Sequence, residues 1–197
     1  MSLDLKDYPS IDIMNHLLEI RRDLAGNPFV YKEFQIMLQT TFRKLTKPPK
    51  ETAAGSETKK AKTGSSSGAM LTGDAAPAAC VMHMDELGYT HVAVCATKMW
   101  SYHYHHDFIM NYPIEPIGEA VEQTRGRIIG AASYSPFHIG QSIAEIERAV
   151  KELGFKYVWF HPLSFGLPPN DRRFYPLYQK CVELDIAVGF QVGHSAE

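Results

Sequence analysis

Residues 141–162, QSIAEIERAVKELGFKYVWFHP, decide the fold. Up to Gly154 the apolar positions Ile143, Ile146, Ala149, Val150 and Leu153 recur every three or four residues, as on one face of a helix, and Gly154 supplies a stop. From Phe155 that period gives way to a nearly continuous apolar and aromatic run ending at His161-Pro162. Such a run is expected of a strand buried on both faces, as in parallel sheets. A helix feeding such a strand is half of a βαβ unit.

The same alternation extends in both directions. Downstream, DRRFYPLYQKCVEL (171–184) reads as a helix broken early by Pro176, and IAVGFQVG (186–193) follows as a strand. Upstream, residues 117–126 read as a helix before the strand RIIGAASYSP (127–136), and PAACVMHMDELG (77–88) as a helix before the strand HVAVCA (91–96). SIDIMNH (10–16) is the first strand candidate. NPFVYKEFQIMLQTTFRKL (27–45) has helical spacing, with Asn27 as N-cap and Pro28 at the first helical position. Five strands separated by helices predict an α/β fold built on a parallel sheet. No GxGxxG follows a strand and no GxxxxGK[ST] occurs, so nucleotide-phosphate cradles have no support. A parallel (β/α) TIM-barrel-like fold is the expectation, with about five of eight βα units present.

One segment stands apart. Residues 47–79, KPPKETAAGSETKKAKTGSSSGAMLTGDAAPAA, hold almost no large apolar side chain to offset the entropy of ordering. The expected organisation is one domain: 1–46 the first strand and helix, 47–79 a flexible low-complexity insertion, and 80–197 the remaining βα units. The first 46 residues are too few for a core of their own.

The 197 residues carry 20 Lys and Arg against 22 Asp and Glu, for a formal net charge of −2, with 45% hydrophobic and 21% charged residues. These are the proportions of a soluble globular chain. The near-neutral balance argues against a nucleic-acid partner. No apolar run approaches the roughly 18 residues that cross a bilayer, and MSLDLKDYPSIDIMNH lacks the layout of a signal peptide. Cys80, Cys95 and Cys181 are odd in number and widely spaced, which fits neither a disulfide framework nor a zinc ribbon. Cys95 and Cys181 read as buried packing residues. The expected location is the cytoplasm.

Active residues of such barrels sit at the carboxyl ends of the strands. Here those ends hold Asn15-His16, the run from Lys98 through Trp100 to Asp107, Tyr134 to His138, His161-Pro162, and Gln191 to His194. Seven of the nine histidines (His16, His103, His105, His106, His138, His161 and His194) fall in these five places, which random scatter would not produce.

At these residues the sequence resembles the amidohydrolase-related family of metal-dependent hydrolases and decarboxylases, aminocarboxymuconate semialdehyde decarboxylase among them. The resemblance is carried by ELGFKYVWFHPLSFGLPPNDRRFYPLYQKCVELDIAVGFQVGHS (152–195). It is similar to the family's Leu-Gly-(Phe/Val)-Lys, a strand ending near His-Pro, Asp-x-x-(Phe/Tyr)-x-Pro-(Leu/Ile)-Tyr, Glu-Leu, and a strand ending near His-x-Gly. IDIMNH matches the family's Asp-x-His-x-His more loosely. Two positions depart: Met14 stands where a first histidine is expected, leaving His16, and Gln191 where the fifth strand supplies a histidine or modified lysine. A catalytic zinc site needs about three protein ligands and an open position. The family's sixth- and eighth-strand ligands have no counterpart before Glu197, so the resemblance is to a divergent, apparently truncated member.

The resemblance implies an amidohydrolase-type enzyme that hydrolyses a C–N or C–O bond or decarboxylates a small carboxylated substrate. His161 and His194 are its expected catalytic residues. Trp100, His103, His105, His106 and Gln191 are expected to bind substrate, and His16 to hold a divalent metal, zinc or manganese, that polarises the substrate or activates water. Core packing also accounts for Trp100 and Tyr102, and a solvated lid for the His103–His106 run. Arg172 and Arg173 are expected to pair with nearby acids. The alternatives are a non-catalytic pseudoenzyme or subunit that binds a small molecule, or the N-terminal fragment of a longer amidohydrolase; Met14 and Gln191 favour the first of these. Five parallel strands do not close a barrel of eight, so a homo-oligomer or complementing subunit is expected.

Overall fold

The computed structural model describes residues 9–15, 76–103 and 106–192. Its frame is a parallel sheet of five strands: β1 (Ile11–Asn15), β2 (His91–Cys95), β5 (Ile128–Ala132), β6 (Tyr157–Phe160) and β7 (Ala187–Phe190). They lie side by side in chain order, all parallel. Helices α1 (Ala76–Leu87), α2 (Glu115–Gln123), α3 (Ile139–Leu153) and α4 (Tyr175–Glu183) connect them. The five strands and four of the helices expected from the sequence are therefore present. Helix α1 starts at Ala76, inside the low-complexity stretch. Residues 47–75 and the helix expected over 27–45 lie outside the described residues.

Alternation along the strands divides the sheet into two faces. Val92, Val94, Ile128, Ala132, Val158 and Phe160 turn toward the helices and pack on Met84, Ile117, Ile146, Ala149, Leu177 and Cys181. Cys95, Ala131 and Trp159 point to the opposite, inner face and form a separate cluster with Tyr157. Cys95 and Cys181 are both buried, as expected of packing residues. Gly154 caps α3 in the left-handed conformation, with φ 71°.

Two features differ from the sequence reading. Pro176 starts α4 instead of breaking a longer helix. A single 3-10 turn, Arg172–Phe174, precedes it, and Pro176 sits in the first helical turn, where amides have no intrahelical acceptor to lose. The second is an antiparallel hairpin after β2, formed by β3 (Lys98–Trp100) and β4 (Phe108–Asn111). FIMN is too short, and too far from β3 in sequence, for a strand to be read from its pattern. No helix among the described residues is long and apolar enough to cross a membrane.

Candidate functional site

The carboxyl ends of β5 and β6 supply small hydroxyls, and these hold the hairpin. The Lys98 amide donates to Ser133 Oγ at 3.2 Å, and the Trp100 amide donates to Ser164 Oγ at 3.3 Å. Both serines are buried, so neither bond competes with bulk water. The Lys98 ammonium donates to Asn111 Oδ1 at 2.8 Å, across the hairpin, and pairs with Glu145 of α3 at 3.1 Å. The tip closes through Ser101 and Asp107: the Ser101 amide donates to the Asp107 carbonyl at 2.9 Å, and the His106 amide to the Ser101 carbonyl at 2.8 Å.

Trp100 is carried by β3 into an aromatic group. Its ring lies edge-on to Phe108 and to Phe137, both at 5.1 Å between centroids, and Phe137 meets Phe165 at 5.6 Å. Tyr102 at the tip lies over Gly166, which has φ 65° and no room for a Cβ: a methyl placed there would sit 2.4 Å from the tyrosine ring. His103 and His106 are exposed and flank Tyr102 at 5.1 and 6.2 Å. His103 sits in the turn at the hairpin tip.

His161 occupies the position after β6 and is 1% exposed. It follows Tyr157 and Trp159 by alternation, so it belongs to the inner face. The chain then turns through the 3-10 segment Pro162–Phe165, which Pro162 opens and Gly166 closes. That turn brings the Ser164 amide to 3.1 Å from His161 Nδ1, and Ser164 Oγ donates to the His161 carbonyl at 2.9 Å. Nε2 has no hydrogen-bond partner among the described residues. Burial holds the ring's pKa below the ordinary histidine value, so it is neutral at neutral pH. Beyond the pairing of Phe160 with Phe190, the Gln191 amide donates to the Phe160 carbonyl at 3.1 Å. That ladder step sets Gln191 beside His161 on the same face, one strand spacing away.

The expected site residues that are described thus fall into three groups. His161 and Gln191 stand together at the ends of β6 and β7. Trp100 is joined to His161 through Ser164, and His103 and His106 sit at the exposed tip. His16, His105 and His194 lie outside the described residues, as does the Met14 side chain. Arg173 pairs with an acid as expected: Asp171 accepts from its Nε at 2.8 Å, and this holds the carboxyl down at about 2. Ser133 and Ser164 escaped the sequence reading, although Ser133 directly follows β5 and Ser164 lies in the turn after β6, where a hydroxyl can reach the next βα loop.

Among the described residues no three His, Cys, Asp or Glu side chains form a metal-binding group. The nitrogen that His161 has left to offer carries its proton, since Nδ1 accepts an amide N–H. The described residues therefore do not make a divalent-metal site by themselves.

A family model for amidohydrolases matches residues 19–197. Among solved structures, 5-carboxyvanillate decarboxylase from Novosphingobium aromaticivorans, with manganese and 3-methoxy-4-hydroxy-5-nitrobenzoic acid bound, is 17% identical over 93% of this chain and 50% of that chain, with a TM-score of 0.57. A TIM-barrel protein from Bordetella bronchiseptica is 15% identical over 96% of this chain and 57% of that one, also at 0.57. 2,6-Dihydroxybenzoate decarboxylase from Rhizobium is 11% identical over 91% and 48%, at 0.51. The chain spans about half the length of these structures. At such identities the likeness establishes the barrel fold. No curated protein matches the chain.

Proposed function

The chain belongs to the amidohydrolase family, and from that premise we propose an amidohydrolase-type enzyme acting on a small carboxylated substrate, by loss of CO₂ or by hydrolysis of a C–N or C–O bond. His161 carries the reading. It is a buried imidazole at a strand's carboxyl end, where barrels of this kind place reacting groups, and its Nε2 lacks a partner among the described residues. Leaving a buried polar group unpaired costs about 1–3 kcal/mol. A ligand oxygen bound there would recover it.

In this reading His161 and Gln191 hold the substrate at the ends of β6 and β7. Trp100 and Phe137 form an aromatic wall, which suits a planar ring. The serine-pinned hairpin keeps water from that side. His103 and His106, exposed at its tip, bind substrate together with His105, and His194 is the second catalytic histidine. The cofactor that goes with this reading is a divalent cation, zinc or manganese, with His16 as its ligand from this chain. Decarboxylase neighbours, one with manganese and a nitrobenzoic acid bound, favour an aromatic carboxylate and loss of CO₂. A second reading is a non-catalytic member that binds such a molecule, favoured by the carboxamide of Gln191 where the resemblance calls for a metal ligand.

The test is to incubate the chain, loaded with Mn²⁺ or Zn²⁺, with 5-carboxyvanillate and 2,6-dihydroxybenzoate and to follow CO₂ release. A parallel panel of small amides and esters reports hydrolysis. Turnover that disappears in His161→Leu supports an enzyme. Saturable binding without turnover in any arm supports the second reading, and neither binding nor turnover removes both.

A further inference from the structure

We propose that His161 is a fixed hydrogen-bond donor: its Nε2–H, beside Gln191, takes a carboxylate or phenolate oxygen of the ligand, and it neither coordinates a metal nor accepts a proton. The ligand class rests on the reading above. The fixed-donor assignment does not.

A backbone amide can only donate, so Nδ1 of His161, 3.1 Å from the Ser164 nitrogen, must be the acceptor and carries no proton. In the neutral ring the proton is therefore on Nε2. The arrangement is locked from several sides. Pro162 opens the turn that delivers the Ser164 amide, and Gly166 closes it in the left-handed region. Ser164 Oγ donates to the His161 carbonyl and accepts from the Trp100 amide, so the turn is tied to the histidine's own backbone and to the hairpin. Turning the ring over would put carbon against the Ser164 amide and strand a buried donor. The ring is 1% exposed, so water does not compensate.

The chemistry follows. Metal coordination and general-base catalysis both need a lone pair, and the free nitrogen of His161 has none to give. What it offers is one uncharged donor in a desolvated place, which suits an anionic oxygen. Gln191 occupies the neighbouring ladder position on the same face, and its carboxamide is a second group able to donate to that oxygen.

The experiment is heteronuclear NMR of the histidine ring nitrogens in the full ¹⁵N-labelled chain, with His161→Gln giving the assignment. The expected result is a neutral Nε2–H tautomer that persists when Zn²⁺ is added. Its Nε2–H signal shifts downfield when 2,6-dihydroxybenzoate is titrated in. An Nδ1–H tautomer, or loss of the Nε2 proton to Zn²⁺, overturns the assignment. Shifts elsewhere in the chain with the Nε2–H signal unmoved overturn the ligand contact. No shift anywhere in the chain overturns the carboxylated-ligand reading itself, while the tautomer alone decides the fixed donor. In binding assays His161→Gln, which keeps an amide N–H near Nε2, should hold affinity within about tenfold, whereas His161→Leu should lose about ten- to a hundredfold.

Discussion

The Ser164 amide donates to Nδ1 of His161 at 3.1 Å while its hydroxyl donates to the carbonyl of the same histidine at 2.9 Å. One residue thus fixes both the ring and the backbone of the buried imidazole. Through the Trp100 amide it also fixes the hairpin that lies beside them.

Ser164→Ala keeps the amide bond to the ring and removes the hydroxyl from the Trp100 amide and the His161 carbonyl. Because these groups are buried, the expected loss is about 1–3 kcal/mol. Urea unfolding followed by tryptophan fluorescence measures it. A loss near zero would mean that the hairpin is held without the serine.

Gly166→Ala meets two obstacles, a φ of 65° and the Tyr102 ring 2.4 Å from the new methyl. The expected cost is about 1–3 kcal/mol. In a Tyr102→Ala background the steric share should vanish and leave the backbone share. A double-mutant cycle on melting curves separates the two; strict additivity would show that the tip does not rest on Gly166.

Lys98 and Glu145 are only 9% and 17% exposed at their side chains. Removing one partner strands a largely buried charge, so Lys98→Met should destabilise by about 3 kcal/mol. Adding Glu145→Leu should restore most of that. If the double variant is no better than the single one, the pair is not an energetic unit.

Burial lowers the His161 pKa in the folded chain, below the ordinary 6.5. The unfolded chain then takes up its proton first as pH falls. The stability tied to the neutral ring is fully present above about 6.5 and is lost as pH drops through the lower folded value. Between about pH 7.5 and about pH 5 the urea midpoint of the parent should fall more steeply than that of His161→Gln. Parallel curves would mean that the ring titrates alike in both states.

Among the described residues β1 and β7 are the outer strands, and both carry exposed large apolar side chains: Ile13 is 71% exposed and Phe190 45%. Strand edges with such surface associate. Light scattering on dilute protein should give a mass above 22.2 kDa. A monodisperse monomer would show that these edges are tolerated as they stand.

What the sequence determined by itself was the sheet and its helices. Ile143, Ile146 and Ala149 at helical spacing, followed by the apolar run into Phe160, are local periodicities, and burial of one face is enough to turn each into an element. The strand ends were legible for the same reason, and with them His161 and Gln191 as candidates. The start of α4 at Tyr175 was not, since a proline early in a pattern reads alike as a break or a first turn. The hairpin, the pinning of Lys98 and Trp100 by Ser133 and Ser164, and the proton position on His161 were decided only in three dimensions. The two serine bonds join residues 35 and 64 positions apart, and no local pattern encodes a partner so distant. The histidine's bond spans only three positions, yet it depends on a turn shaped by Pro162 and Gly166 and held by the hairpin. A hydrogen bond needs its donor within a few tenths of an ångström, and only the packed chain sets positions that finely.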